Sequence, residues 1–497
     1  MTPALALLVA FAALGAGCGP GDGGPDRPGA GRVDGSLEGP GDRTPGLVLF
    51  EGARLIVGDG TVIEDGALLV EDDRIAAVGE AGDIPLREGD PGFARVELSG
   101  RTVIPALIDS HAHLGYEGYT GWGAEHYSRA NLLDHLHRYA YYGFGAVLSA
   151  GADPEDLALE LQEDQRSGEV RGARFLFAAG MAPPDQGPND RFLVHTRAVS
   201  AETGEPVVRG LSSPDDAGRE VRTVAGKGIP FVKIWVDDRG GSQEKLSPRI
   251  YRAVMAEAGE LGLEVLVHQQ RASDMPDLIR AGTDGFLHGR LGPALDDDVA
   301  ALLAGEDVFL VPNLGLGELR GENVAADPFL REAIRPEVAE RVDRERGGAV
   351  GVGESVSSDR DRELTAALRR LRNAGVDIVL GTDAGAVPDH FFGYAGHREL
   401  EIFVRLGMTP TEALVAATGA AAEALGLEDT GSLAAGKSAD FVVLDRDPTA
   451  DIRNTQSIVE VYLRGERVDR DSLRSAWRGE AGAEAGSSGA SPEAGVR

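Results

Sequence analysis

Two histidines and one aspartate alternate near the end of an apolar run, VIPALIDSHAH, at residues 103–113. Alternate side chains of an extended strand share a face, so the pattern predicts that Asp109, His111 and His113 point the same way. Neutral imidazoles bind divalent metals, and a nearby carboxylate can orient one of them. The run therefore predicts half of a metal site; the alternative is a surface strand end with two solvated histidines.

Further candidate ligands occur at the ends of other apolar runs. Lys233 lies within FVKIWV, His268 ends VLVH, and His288 ends GFLH. Asp383 follows VLGT. A barrel of parallel strands places its active site at the carboxyl ends of those strands, so such a fold would bring these side chains together.

Lys233 allows two interpretations. A lysine cation inside an apolar strand is costly to bury, so it needs an anionic partner or a changed charge state. A carbamate formed with CO2 would turn the side chain into an anionic metal ligand, because a protonated ammonium has no lone pair to offer a metal. The alternative is a salt bridge to Asp237 or Asp238.

The interior of the chain alternates short apolar runs with helical patterns, such as those at 131–142, 248–261 and 360–374. This alternation predicts an α/β fold, a (β/α)8 TIM-like barrel over residues 103–428. The segment 315–358 is longer than a simple connection and predicts a lid or a helical insertion. The candidate barrel strands are 103–108, 146–149, 174–178, 231–236, 264–268, 285–287, 308–312 and 377–380.

Two β-rich segments flank this interior, at residues 47–102 and 429–470. Each has short strands separated by turn residues, and neither has enough strands to be stable alone. We therefore predict that the N- and C-terminal flanking segments combine into one small β-sandwich domain.

Four motifs together with the candidate ligands resemble the amidohydrolase superfamily. They are GTDAG at 381–385, HRELE at 397–401, GMTPTEAL at 407–414 and GSLAAGKSADFVVL at 431–444. The resemblance covers about residues 47 to 470 and is to the binuclear subtype with a carboxylated lysine, in which the similar members include imidazolonepropionases and metal-dependent Xaa-Pro dipeptidases.

The resemblance implies a role for each candidate ligand. Divalent metals, two Zn²⁺ with Mn, Co or Fe as alternatives, would be the cofactors, joined by a CO2-derived carbamate on Lys233. Asp383 would also carry a proton during attack by a metal-bridging hydroxide, and Asp109 would orient a histidine from behind. The ligands implied for the more buried metal are His111, His113 and Asp383; those for the more exposed metal are His268 and His288, with Lys233 bridging both.

The predicted activity is hydrolysis of an amide-type C–N bond in dipeptides or N-acyl amino acids. Alternatives on the same scaffold are a cyclic amidine or imidazolone hydrolase, a deaminase, and a lactone or phosphotriester hydrolase; a non-catalytic binding protein is a third class. Arg290 could pair with a substrate carboxylate or form a surface salt bridge. His195 and Trp235 could contact substrate, with a solvated loop and barrel packing as the alternatives.

Composition limits the partners. The net charge of -32 argues against nucleic acid and against an anionic membrane surface, since no basic stripe offsets it. A small molecule or short peptide remains the expected partner, and a homo-oligomer stays open. The single cysteine, Cys18, excludes an intramolecular disulfide.

The first residues indicate export. Residues 1–18 contain a short apolar stretch followed by Gly-Ala-Gly-Cys, which resembles a lipoprotein signal with Cys18 as the acylated residue. Residues 19–46 are rich in Gly, Pro and Asp and predict a flexible linker. Residues 479–497 predict a disordered tail. The expected location is the periplasm or cell envelope, with membrane contact only through the lipid anchor.

Overall fold

The computed structural model describes residues 46–84, 93–118, 121–289, 291, 292, 294–349, 353 and 358–479. The predicted signal with Cys18, the linker up to residue 45, the tail from residue 480 and Arg290 lie outside the described residues. Within the described ranges, no helix combines the length and apolar character needed to cross a membrane.

The strands divide between a barrel and a second sheet. In chain order the assigned strands are β1 (Leu47–Ile56), β2 (Val62–Glu71), β3 (Arg74–Glu80), β4 (Phe93–Glu97), β5 (Thr102–Pro105), β6 (Leu107–Ala112), β7 (Phe144–Ala150), β8 (Arg174–Ala182), β9 (Val208–Gly210), β10 (Phe231–Val236), β11 (Glu264–Gln269), β12 (Gly285–Leu287), β13 (Phe309–Val311), β14 (Phe441–Leu444), β15 (Ile458–Leu463) and β16 (Glu466–Arg467).

The α-helices mostly follow the barrel strands. In chain order they are α1 (Arg129–Tyr141), α2 (Glu155–Ser167), α3 (Asp190–Thr203), α4 (Pro214–Gly226), α5 (Pro248–Leu261), α6 (Met275–Ala281), α7 (Asp297–Gly305), α8 (Gly315–Glu318), α9 (Pro328–Arg331), α10 (Pro336–Arg346), α11 (Ser358–Ala374), α12 (Tyr394–Arg405), α13 (Pro410–Ala416), α14 (Gly419–Ala424) and α15 (Arg470–Arg478). Short 3-10 turns lie at Ala124–His126, Ala272–Asp274, Leu319–Gly321, Val324–Ala326 and Ile452–Gln456.

The barrel sheet has the order β6, β7, β8, β10, β11, β12, β13, with β9 beside β8. All of its strand pairs are parallel. Helices follow most of these strands and pack against the outside of the sheet in one large apolar core. This arrangement confirms the predicted barrel fold.

An extended segment occupies the position of the eighth predicted strand. It contacts β13 through a parallel bridge between Leu310 and Ile378. On its other side, the Ser110 N–H donates to the Leu380 carbonyl at 3.0 Å. The segment therefore lies between β13 and β6 and completes the ring with single bridges instead of a full ladder.

Asp109 joins this closing segment to β6 and to α1. Its Oδ2 accepts hydrogen bonds from the Tyr139 hydroxyl at 2.7 Å and the Thr382 hydroxyl at 2.6 Å. Its Oδ1 accepts from the backbone N–H groups of Thr382 at 3.0 Å and His111 at 3.2 Å. One buried carboxylate thus fastens the two edges that close the barrel.

The expectation that Asp109, His111 and His113 share one face is wrong. The pairing of β6 with β7 is irregular between Asp109 and Ala112. Such an irregularity changes the alternation of side chains, because an extra residue moves those after it to the other face. Asp109 therefore contacts α1, whereas the two imidazoles lie among the other candidate ligands.

The predicted strand 103–108 is divided between the two sheets. Its first part is β5, which pairs with β1 and β14 in the second sheet. Its last part begins β6 of the barrel. The change occurs at Ala106, whose N–H donates to the Asp440 carbonyl at 3.0 Å.

The second sheet has strands from both ends of the described chain, in the order β16, β15, β14, β5, β1, β2, β3, with β4 beside β1. Its pairs are antiparallel except β1–β4 and β1–β5. Phe50, Phe441 and Tyr462 pack together in its core, and the Phe441 and Tyr462 rings stack with centroids 4.7 Å apart. The two flanking segments thus contribute strands to one sheet and share one apolar core.

Alternation along β10 decides which side chains face the barrel interior. Phe231 packs inside with residues of other barrel strands. Val232, Ile234 and Val236 pack outward in the core shared with the helices. Lys233 therefore faces the barrel interior, two residues closer than Phe231 to the carboxyl end of β10.

The long connection after β13 is a helical insertion made of α8, α9 and α10, as the length of 315–358 predicted. Arg341 of α10 forms a bidentate ion pair with Asp389, at 2.6 and 3.0 Å. This pair fastens the insertion to the loop that follows the closing segment.

Replacing Tyr139 by Phe should lower the free energy of unfolding by about 1–3 kcal/mol, because a buried carboxylate loses one of its donors. Urea unfolding of the purified protein measures the loss. Tyr462→Phe is the matched control, since its hydroxyl donates to the half-buried Glu460 at 2.8 Å, and should cost less than about 1 kcal/mol. Equal losses would show that Asp109 does not depend on Tyr139.

Candidate metal centre

The structure places all six predicted metal ligands at the carboxyl end of the barrel. Two come from β6 and the residues after it, one from β10, one from β11, one follows β12, and one follows the closing segment. Their rings and carboxylate contact one another, and their side chains are buried or nearly so. They are His111, His113, Lys233, His268, His288 and Asp383.

Asp383 lies at the centre of three imidazoles. Its Oδ1 is 3.4 Å from His111 Nε2 and 3.1 Å from His113 Nε2. Its Oδ2 is 3.3 Å from His288 Nε2. The ligand atoms of His111, His288 and Asp383 all lie within 4.8 Å of one another, which is close enough for one metal ion to contact all three.

The backbone at this cluster is in an unusual conformation. His288 and Asp383 have positive φ angles of 68° and 60°. Residues other than glycine adopt this region rarely, and such positions occur often at functional sites. Gly385 has a φ of 83°, and a Cβ there would lie 2.0 Å from the His113 carbonyl oxygen. Only glycine therefore lets the two ligand-bearing loops approach this closely.

Several polar atoms of the predicted ligand residues are buried without a hydrogen-bond partner in the described part of the chain: His111 Nε2, His113 Nδ1, Lys233 Nζ, His268 Nε2 and Asp383 Oδ1. Leaving one buried polar atom unpaired costs about 1–3 kcal/mol. A native fold rarely tolerates several unpaired atoms in one place. Nitrogen and oxygen donors of these types fit divalent transition metals, which would satisfy them together.

Asn313 fixes the orientation of His111. The His111 Nδ1–H donates to Asn313 Oδ1 at 2.9 Å, which leaves the lone pair on Nε2 for a ligand. Asn313 follows β13 and has a φ of 50°. The expectation that Asp109 orients a histidine ring is therefore wrong, because Asp109 contacts the His111 backbone N–H and not its ring.

Lys233 makes no salt bridge to either predicted partner. Asp237 pairs with Arg239 at 3.0 Å, and Asp238 pairs with Arg271 at 3.0 Å. Lys233 itself is fully buried, with 0% of its surface exposed. Of the two sequence-based interpretations, the salt bridge to Asp237 or Asp238 is wrong.

The electrostatic environment favours the protonation states that metals require. Burial lowers the pKa values of His111 and His268 well below the usual range, and lowers that of His288 to about 4. Burial also holds the pKa of Lys233 well below its usual value. Burial raises the pKa of Asp383, but the surrounding histidines outweigh this effect and leave it well below normal. These shifts favour the deprotonated forms of His111, His268, His288, Lys233 and Asp383, which are the forms that bind metals.

A cavity of about 650 Å³ opens in front of the cluster. Phe192 and Trp235 line it, and Phe192 packs edge-on against His113 with ring centroids 5.2 Å apart. His195 is not among the lining residues; its Nδ1 accepts a hydrogen bond from the Ala124 N–H at 3.0 Å. Arg290 lies outside the described residues.

Sequence reasoning missed two residues of the site, Asn313 and Phe192, and named a third, Asp237, only as a possible partner of Lys233. Asn313 comes two residues after the end of β13, the same kind of position as the predicted ligands, so its place on a strand end could have identified it. Asp237 directly follows β10, and its Oδ2 lies 3.4 Å from His268 Nε2. Phe192 lies in a helix, where no sequence signal separates it from an ordinary core residue.

The sequence profile of the Amidohydrolase family matches residues 102–468. This range contains the whole barrel and the C-terminal strands of the second sheet.

Two curated relatives illustrate the likeness. The imidazolonepropionase of Streptomyces avermitilis is 26% identical over 436 residues, which cover 82% of this chain and 88% of that protein. The ochratoxinase of Aspergillus niger is 24% identical over 446 residues, which cover 83% of this chain and 84% of that protein.

Solved structures share the fold. A candidate prolidase from Bifidobacterium longum superposes with a TM-score of 0.62 and 25% identity, over 87% of this chain and 98% of that one. The structure of the A. niger ochratoxinase gives a TM-score of 0.64 at 21% identity, over 85% of this chain and 95% of that one.

Replacing Asn313 by Ala should weaken metal binding about 10–100-fold, since it removes the acceptor that orients His111. Competition with a chelating dye measures the affinity for Zn²⁺. Asn313→Asp keeps an oxygen acceptor and should bind close to wild type. Asn454→Ala, which removes a side-chain donor to the Asp447 carbonyl in the C-terminal region, is the control and should not change affinity. Unchanged affinity in Asn313→Ala would rule out the orienting role.

Proposed function

Since this chain belongs to the amidohydrolase family and is a hydrolase of carbon–nitrogen bonds, we propose that it cleaves the amide bond of dipeptides or N-acyl amino acids with the help of divalent metal ions. The observation that carries this proposal is the group of buried donor atoms without hydrogen-bond partners at the mouth of the barrel. Metal binding is the simplest way to satisfy them.

The ligand set suits two ions. His111, His113 and Asp383 would hold one, and His268 and His288 the other. A carbamate on Lys233 would bridge them and supply negative charge, which two neighbouring cations need. Zn²⁺ is the first choice for this donor set, and Mn, Co or Fe would also fit. When bound, the metals supply a hydroxide at neutral pH and polarise the scissile carbonyl.

The environment of Lys233 supports the carbamate. Its amine is buried without a hydrogen-bond partner among the described residues, and burial holds its pKa well below the usual value despite the attraction of Asp383, which favours the neutral amine. The lone pair of a neutral amine can attack CO2: the N–C bond forms while one C=O π bond breaks and its electron pair moves to oxygen. The nitrogen then loses one proton to solvent, which leaves an anionic carbamate. Gly151 leaves room beside this side chain, because a Cβ there would lie 2.8 Å from Lys233 Cβ.

Asp383 is the residue placed to move a proton. It is ionised, and three imidazoles surround it, so a carboxylate oxygen can accept the proton of the attacking water. The same oxygen can then deliver that proton to the leaving nitrogen. The surrounding imidazoles are ligands in this proposal, so they are less suited to carry it.

A second candidate is hydrolysis of a cyclic amidine or imidazolone ring. The observation in its favour is the likeness to the imidazolonepropionase of S. avermitilis, of which the alignment covers 88%. The same donor set would serve this reaction, so substrate assays must separate the two candidates.

Lys233→Ala should lower kcat at least about 100-fold on any hydrolysed amide, because it removes the bridging anion. Its metal content should fall too, and added formate or acetate should restore part of the activity by replacing the lost carboxylate. The assay is a panel of dipeptides, N-acyl amino acids and cyclic imidazolones with defined metal.

Lys227→Ala is the matched control, since that half-buried lysine pairs with Asp156 and Glu155 and does not line the cavity. It should keep full activity. Full metal content and activity in Lys233→Ala would refute the bridging role. Hydrolysis of cyclic imidazolones alone would favour the second candidate.

We also propose that the protein is exported and acylated at Cys18, on the basis of the sequence pattern of residues 1–18. In a bacterial host, the wild type should sediment with membranes and incorporate labelled fatty acid. Cys18→Ser should do neither. Soluble wild-type protein without label would contradict the anchor.

A further inference from the structure

Four arginine side chains line the cavity in front of the metal ligands: Arg191, Arg239, Arg320 and Arg346. Among the described residues, only Arg239 has a carboxylate partner, Asp237 at 3.0 Å. The chain has 81 acidic and 49 basic residues, so a shortage of carboxylates does not explain the unpaired guanidinium groups.

Two of the unpaired arginines belong to the helical insertion. Arg346 ends α10, and its Nη1 donates to the carbonyls of Leu319 at 2.8 Å and Glu322 at 3.3 Å. Arg320 lies in the turn Leu319–Gly321 that these bonds hold. Backbone carbonyls position a guanidinium but do not neutralise it. The insertion therefore presents two neighbouring positive charges to the cavity.

The carboxylates of the same cavity have other partners. Asp389 accepts the bidentate ion pair from Arg341, and Glu345 lies 3.4 Å from the same guanidinium. Asp383 is surrounded by imidazoles. Among the described residues, no acidic side chain that lines the cavity forms an ion pair with Arg320 or Arg346. A bound anion could supply the missing negative charge.

We propose that Arg320 and Arg346 bind a carboxylate of the substrate, so that the enzyme selects anionic amides over neutral ones. The inference rests on the proposed function and specifies its substrate class. The guanidinium is planar and its donors match the two oxygens of a carboxylate. A hydrogen bond of this charged type contributes about 1.5–3 kcal/mol, which corresponds to roughly 10–150-fold in affinity.

N-acetyl-L-phenylalanine and N-acetyl-L-phenylalaninamide form a matched pair of probes, because they differ only in the carboxylate. The phenyl ring suits a cavity that Phe192 and Trp235 line. With metal-loaded enzyme, kcat/KM should be at least about 10-fold higher for the carboxylate.

In Arg320→Gln and Arg346→Gln, the ratio of kcat/KM for the carboxylate probe to kcat/KM for the amide probe should fall at least about 10-fold. The fall should come more from a higher KM for the carboxylate than from a lower kcat. Arg344→Gln is the control, since this exposed residue lies on the same helix but does not line the cavity. It should leave the ratio unchanged. The Arg320 side chain makes no hydrogen bond or ion pair with a described residue, so its replacement should not disturb folding. Thermal melting of the variant verifies this.

A binding experiment separates this inference from the proposed activity. Metal-stripped enzyme cannot turn over either probe, and calorimetry should show tighter binding of the carboxylate in wild type but not in Arg320→Gln. If both probes are hydrolysed and bind equally well, or if the preference survives in both arginine variants, the inference is wrong and the hydrolase proposal stands. If neither probe is hydrolysed but the arginine-dependent preference is present, the anion site stands and the proposed activity fails.

Discussion

The structure depends on the cost of removing polar donors from water. At the mouth of the barrel, imidazoles, an amine and a carboxylate are buried together, and several of their atoms have no partner among the described residues. Each unpaired atom destabilises the fold, so the site is stable only if a ligand satisfies the group together. The same burial keeps the nitrogens neutral, which is the state that a metal requires.

The surrounding elements hold this group in place. Asp109 ties the closing segment to β6, and the irregular pairing beyond it directs His111 toward the other ligands. Asn313 then fixes the ring of His111. Left-handed backbone at His288 and Asp383 brings their side chains close to the same point. The centre therefore depends on residues in or just after β6, β10, β11, β12, β13 and the closing segment, and its geometry depends on the closure of the ring.

The cavity in front of this centre has two kinds of wall. Phe192 and Trp235 supply an aromatic surface, whereas Arg320 and Arg346 supply positive charge from the helical insertion. The ligands come from barrel strands and the loops directly after them. The insertion carries none of the predicted metal ligands and is attached to the barrel through the ion pair of Arg341 with Asp389. Its sequence can therefore change, and with it the proposed substrate preference, while the metal ligands stay the same.

The sequence by itself determined the barrel and the set of candidate ligands, because short apolar runs that contain Lys or are followed by His or Asp are local patterns that hydrophobic periodicity reveals. It did not determine the role of Asp109 or the division of the strand at Ala106. It also did not show that Asn313 orients His111 or that Phe192 lines the cavity. Those depend on register, backbone conformation and packing between residues far apart in the chain. A one-residue irregularity in pairing changes which face a side chain occupies, and only the assembled barrel decides where that irregularity lies.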